Sequence, residues 1–192
     1  MSLRSIALAG IMTLAVAGPA SAVNIVINGS FETGNFTGWT PTGDQTFNGV
    51  QCPGPGSTVF AGNCSAFFGP IGTTGGVTQN LSTAIGTTYG ISFAFLADGG
   101  TPSSFSASFG GNPLVALVNP PAGPYQVFNF SAVATSTTSA LAFSFRDDPG
   151  FLFLDAVSVE DVPAAVPEPA TLLLLGSGLI GAAVRRRKQR QG

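Results

Sequence analysis

Residues Thr88 to Ala97 and Ser139 to Arg146 alternate large apolar side chains with small or polar ones. Tyr89, Ile91, Phe93 and Phe95 share one face of the first segment, and Leu141, Phe143 and Phe145 share one face of the second. A period of two belongs to an extended strand with one buried side; a helix built on the same residues would scatter its phenylalanines around the cylinder. Thr58 to Phe60, Ser65 to Phe68, Val77 to Leu81, Ser104 to Phe109, Leu114 to Val118 and Tyr125 to Ala134 read as weaker strands, and Val23 to Ile27 as a short apolar one. Between them stand turn signals at Gly99-Gly100, Gly110-Gly111-Asn112, Pro120-Pro121 and Asp148-Pro149-Gly150. Short strands joined in this way predict an all-β, two-sheet sandwich or barrel over residues 23–162.

Phe151 to Glu160 is apolar at nearly every position of its first half, the pattern of a central strand covered on both sides. Asp155 interrupts it, and two readings stand. If Phe153, Val157 and Val159 face the core, Asp155 joins them and needs a cation or several donors. If Leu152, Leu154 and Ala156 face inward, Asp155 looks at solvent.

Both ends of the chain carry a different grammar. Residues 1–22 have Arg4, an apolar run from Ile6 to Val16, a Gly18-Pro19 break and an Ala20-Ser21-Ala22 ending. This is the pattern of a secretory signal peptide, with cleavage expected between Ala22 and Val23. Residues 163–169, rich in proline, read as an extended linker containing Pro167, Glu168 and Pro169. Residues 170–184 hold no charge and read as one short transmembrane helix, spanning about 22 Å against a hydrocarbon core of about 30 Å. The basic residues of 185–192, Arg185, Arg186, Arg187, Lys188 and Arg190, follow at once and place the tail in the cytoplasm by the positive-inside rule.

Charge is sharply partitioned. Arg146 is the one cation between Val23 and Glu168, against nine acids, so the exported part carries a net charge of −8. Nucleic acid is excluded as a partner, because phosphate binding needs clustered Lys and Arg. The chain has no histidine, which removes Ser-His-Asp catalysis and histidine metal sites, and no catalytic residues are assigned: the chain does not read as an enzyme. Cys52 and Cys64 are the only cysteines, and export to an oxidising compartment predicts that they are bonded, contributing about 3 kcal/mol in the chain-entropy model.

Val166-Pro167-Glu168-Pro169, the apolar run and the arginine-rich end closely match the PEP-CTERM sorting signal of Gram-negative bacteria that make exopolysaccharide. That resemblance implies export, transient insertion in the inner membrane, processing by an exosortase near the triplet, and delivery to the cell surface or extracellular matrix. Pro167, Glu168 and Pro169 would then be the recognition element. The opening Asn28-Gly29-Ser30-Phe31-Glu32-Thr33-Gly34-Asn35-Phe36-Thr37-Gly38-Trp39 and the ending Leu154-Asp155-Ala156-Val157-Ser158-Val159 resemble those of jelly-roll modules related to galactose-binding-like and carbohydrate-binding domains. This second resemblance implies a jelly-roll sandwich and a structural calcium held by Glu32 and Asp155. Backbone carbonyls would have to complete its six to eight oxygens. Three functions follow as expectations: binding of extracellular polysaccharide, a structural matrix role without a defined ligand, and, more remotely, glycoside chemistry by the Glu32 and Asp155 pair. Trp39 either packs the sandwich end or stacks on sugar.

Overall fold

The computed structural model describes residues 22–54 and 56–163 together with Arg186. The leader up to Ser21, the Pro167-Glu168-Pro169 triplet, the apolar run 170–184 and the other basic residues of the tail lie outside the described residues. Among the described residues no helix is long and apolar enough to cross a membrane.

Ten strands form two five-stranded sheets in which every pairing is antiparallel. The first runs β1 (Thr40–Gly43), β4 (Gly75–Ser82), β9 (Thr138–Asp147), β6 (Ser103–Phe109) and β7 (Asn112–Val118). The second runs β2 (Asn48–Gln51), β3 (Ser65–Phe68), β10 (Leu152–Asp161), β5 (Thr88–Ala97) and β8 (Gln126–Val133). The chain switches sheets repeatedly, so β9 and β10, consecutive in sequence, are the central strands of opposite sheets.

The core is an aromatic seam between the inner faces. Phe68 of β3 stacks on Phe145 of β9 with ring centroids 3.9 Å apart, and Phe95 of β5 stacks on Phe105 of β6 at 4.1 Å. Phe93 meets Phe143 edge to face at 5.1 Å. Such contacts add to simple area burial and require both sheets in register. The inward positions of β5 and β9 are those expected from the alternation: Ile91, Phe93, Leu141, Phe143 and Phe145 are all at most 1% exposed.

Four local readings change. Val23 to Ile27 is not a strand: Asn24 makes one isolated bridge to Glu160, and the backbone of Ile27 is closed by the Gln79 side chain, which accepts from its N–H at 2.8 Å and donates to its carbonyl at 3.0 Å. A side-chain amide thus serves where a neighbouring strand would. Thr58 to Phe60 is a loop, because the Thr58 carbonyl accepts from the side chains of Gln51, Ser65 and Tyr125 instead of a ladder. The four-residue strands β1 and β2, made of Thr, Pro, Gly, Asn, Val and Gln, carry almost no apolar periodicity and exist through their pairing with β4 and β3.

The fourth concerns β10, where neither reading of its phase holds throughout. Leu152 and Leu154 point into the core at 0% exposure, and so do Val157 and Val159, at 2% and 0%. The register shifts between Asp155 and Ser158, and Ala156 adopts a positive φ of 49°. This bulge inserts one residue and switches the inward set from even to odd positions. Asp155 therefore points away from the core, yet it is 0% exposed because a loop covers it.

Candidate functional site

The covering loop is the stretch from Cys52 to Cys64, and it is closed by the expected disulfide between those residues. Its far end is strung across two carboxylates. Asp155 Oδ2 accepts the N–H groups of Phe60 and Ala61 at 2.9 and 3.0 Å, and its Oδ1 accepts that of Ala156 at 2.6 Å. Glu32 Oε1 accepts the N–H groups of Asn63 and Cys64 at 2.8 and 3.0 Å. These two peptide donors hold the Glu32 carboxyl below its ordinary range. Burial pushes that of Asp155 upward in spite of its three donors, and the nearby Glu32 charge adds to the effect. The two resemblance residues are thus brought together, 123 positions apart in sequence, by one disulfide-closed loop.

A calcium ion at this pair would need converging oxygens. The structure gathers N–H groups instead, four of them from Phe60, Ala61, Asn63 and Cys64. Among the described residues no group of three acidic or cysteine side chains is placed to hold a metal. The near neighbours of Glu32 and Asp155 are thus peptide N–H donors, which hold the two carboxylates and the loop together without help from a cation.

Trp39 packs the sandwich end: it is 5% exposed, stacks on Phe31 at 5.8 Å and donates its indole N–H to the Asn28 carbonyl at 3.1 Å. It has no free face for a ligand. Tyr89 is likewise buried, with its hydroxyl accepting from the Ala84 N–H. Tyr125 is half-buried beside Phe60, ring centroids 5.4 Å apart, and burial pushes its phenol up to about 12, so it stays a neutral donor to the Thr58 carbonyl.

An exposed aromatic face does emerge, one that periodicity alone did not reveal. Of sixteen phenylalanines, eleven belong to the core or pack directly on it; Phe47, Phe60, Phe67, Phe151 and Phe153 do not. Phe67 and Phe153 are cross-strand partners on the outer side of β3 and β10, and Phe67 meets Phe151 edge to face at 5.5 Å. Phe151 is 38% and Phe60 44% exposed. Two glycines make room for these rings: a Cβ on Gly49 would come within 2.7 Å of the Phe67 ring, and one on Gly69 within 2.9 Å of the Phe151 ring. Farther along the same outer face, a groove of about 370 Å³ is lined by Ser92, Asn129, Ser158 and Glu160. No sequence signal marks this face, since Phe153 fits a core alternation with Val157 and Val159 as well as any buried residue does.

Comparison with known proteins bears on the tail and on the sandwich. Residues 165–188 match the model of the PEP-CTERM protein-sorting motif. No curated protein matches the sequence. Among solved structures, the chain resembles TmCBM61 in complex with β-1,4-galactotriose (TM-score 0.58, 20% identity, covering 73% of this chain and 99% of that one). It also resembles the CBM22-1 xylan-binding domain from Paenibacillus barcinonensis Xyn10C (TM-score 0.52, 19% identity, 77% and 100% covered). A third likeness is to the enzymatically active domain of bacteriophage CBA120 tailspike protein 4 (TM-score 0.53, 17% identity, 72% and 21% covered). The fold is therefore the all-β jelly-roll sandwich of carbohydrate-binding modules. Because the same sandwich also accompanies catalysis, function has to be argued from the site.

Proposed function

We propose that this is an exported surface or matrix protein that binds neutral polysaccharide through the outer face of the β2-β3-β10-β5-β8 sheet. The observation that carries the reading is the set of aromatic rings on that face, Phe67, Phe151 and Phe153 with Phe60 and Tyr125 beside them, in a chain where eleven of the sixteen phenylalanines belong to the core or pack on it. Sugar rings offer apolar C–H faces that stack on such side chains, while Ser92, Asn129, Ser158 and Glu160 supply hydroxyl, amide and carboxylate partners for sugar hydroxyls. Two structural relatives named for binding a galactotriose and xylan support the reading. The sorting motif supports export and handling by an exosortase, which would deliver the sandwich to a polysaccharide-rich matrix.

A binding role suits Glu32 and Asp155 better than glycoside chemistry. Asp155 is fully buried beneath the loop and cannot meet a glycosidic oxygen, so the carboxylate pair that glycoside chemistry needs is not presented to a substrate. The test is co-sedimentation of the purified protein with a panel of neutral polysaccharides, wild type against the Phe67→Ala, Phe151→Ala double variant. Wild type is expected to pellet with a subset of the panel and the variant to lose at least about tenfold in affinity, with its melting temperature little changed. Flat behaviour across every polysaccharide would leave the structural matrix role in its place.

A further inference from the structure

At the end of the sandwich where β5 leads into β6 and β9 into β10, an acidic side chain occupies a core position. The inward series of β9 runs Leu141, Phe143, Phe145 and then Asp147, which is 0% exposed. Neither carboxylate oxygen of Asp147 accepts a hydrogen bond from an N–H or hydroxyl group, and the polar group within reach is another carboxyl, that of Asp98. Buried polar atoms without partners are rare and costly, and a buried carboxylate is costlier still. Something must answer this one.

Its surroundings narrow the choice. The Asp147 carboxyl faces that of Asp98 at hydrogen-bonding range, and Asp148 adds a third negative charge nearby. The cation that precedes them, Arg146, is committed to Asp148 through its Nε at 2.8 Å and its Nη2 at 2.5 Å. No other Lys or Arg occurs between Val23 and Glu168. Burial and the two neighbouring aspartates push the Asp147 carboxyl up to about 7. Asp98 lies at the exposed rim and ties the two loops together, accepting the N–H groups of Gly100 at 2.8 Å and Phe151 at 2.7 Å.

Two glycines let the pair pack against bare backbone. A Cβ on Gly100 would collide with Asp147 Oδ1 and stand 2.8 Å from the Pro149 carbonyl oxygen; one on Gly150 would collide with Asp98 Oδ2. Two carboxylates and a backbone carbonyl thus approach one glycine-lined cradle, with the deep carboxylate unpartnered and the outer one reachable from solvent. We propose that Asp147, Asp98 and the Pro149 carbonyl hold a calcium ion at this end of the sandwich. The ligands are all hard oxygens with no sulfur or imidazole, and two loops of irregular geometry suit the flexible six- to eight-fold shell of calcium better than the strict octahedron of magnesium. Water at the exposed Asp98 side completes the shell. Since two acidic side chains alone contribute, the site stands apart from metal clusters of three or more such groups, none of which occurs among the described residues. The ion would clamp the β5–β6 and β9–β10 loops, and through the Asp98 contact to the Phe151 N–H it would steady one ring of the outer aromatic face. The inference does not depend on sugar binding.

The experiment is calcium titration of the purified full chain in mild detergent after EDTA treatment, read by calorimetry and by melting temperature at neutral pH, with magnesium as comparator. The wild type is expected to bind calcium and to melt several degrees higher at about 1 mM, the concentration range of extracellular calcium modules. Asp147→Asn and Asp98→Asn are expected to lose both responses and Glu32→Gln to keep them. Asp98 is at the rim, so its variant remains informative should the Asp147 variant fail to fold. The proposal is overturned by a wild type that ignores calcium, the outcome in which a shared proton holds the pair and the protein instead loses stability as pH rises from about 4 to about 7. It is equally overturned by a response that survives Asp98→Asn, or by one that Glu32→Gln abolishes.

Discussion

Replacing Asp155 by alanine should release the loop that covers β10. The carboxylate holds two long-range peptide donors, Phe60 and Ala61, and one local donor, Ala156. A hydrogen bond to a charged acceptor contributes about 1.5–3 kcal/mol net, so the two long-range bonds amount to about 3–6 kcal/mol. Two effects offset part of this. The variant no longer buries a charge, a cost visible in the upward push on the Asp155 carboxyl, and the freed amides lie on exposed residues that water can reach. The expected loss is about 3 kcal/mol, which for a domain of this size lowers the melting temperature by about 10 °C. Asp155→Asn, which keeps an acceptor of the same shape, should cost about half as much. Thermal unfolding followed by circular dichroism at neutral pH in EDTA measures the loss, and hydrogen exchange locates it: the Phe60 and Ala61 amides should lose protection while those of Phe93 and Phe143 keep theirs. A variant within about 1 kcal/mol of wild type, with unchanged exchange at residues 60 and 61, would refute the claim that this carboxylate anchors the loop.

The disulfide restrains the same loop, so the Cys52→Ser, Cys64→Ser pair should cost up to about 3 kcal/mol in a thermal melt. Combined with Asp155→Ala it should cost less than the sum of the two, because both changes free one segment; strict additivity would show that the constraints are independent. At the other end of the chain, mass spectrometry of the mature protein recovered from a producing cell should find a C-terminus upstream of Arg185. An intact Arg185–Gly192 end in the secreted form would refute processing at the sorting motif.

What was legible in the sequence is what depends on neighbours along the chain. Phenylalanines two apart in β5 and β9 had to share a face, because the pleat permits nothing else, and both segments are strands with that face buried. Two cysteines in an exported chain without a competing thiol had each other as partners. The tail pattern is local by nature, and its match rests on contiguous residues. Glu32 and Asp155 were singled out by the resemblance of the two motifs that contain them, and they do meet beneath one loop; what surrounds them was invisible, since peptide N–H groups carry no sequence signature.

Only the tertiary structure decided the rest. Strands β1 and β2 have too little apolar content to announce themselves and form because their partners offer free edges. The bulge at Ala156 reverses the face of half of β10, since a single extra residue inverts every later side chain in a period-two strand. Phe67 and Phe153 read as core residues by composition, but lie outside because a sheet has two faces and burial depends on which one the other sheet covers. Asp98 and Asp147, forty-nine positions apart, meet because β5 and β9 belong to opposite sheets that end at the same side of the sandwich. Alternation along a chain determines that a strand has an inside. Which residues face each other across the gap, and which rings are left over for a ligand, is settled by long-range pairing that no local pattern encodes.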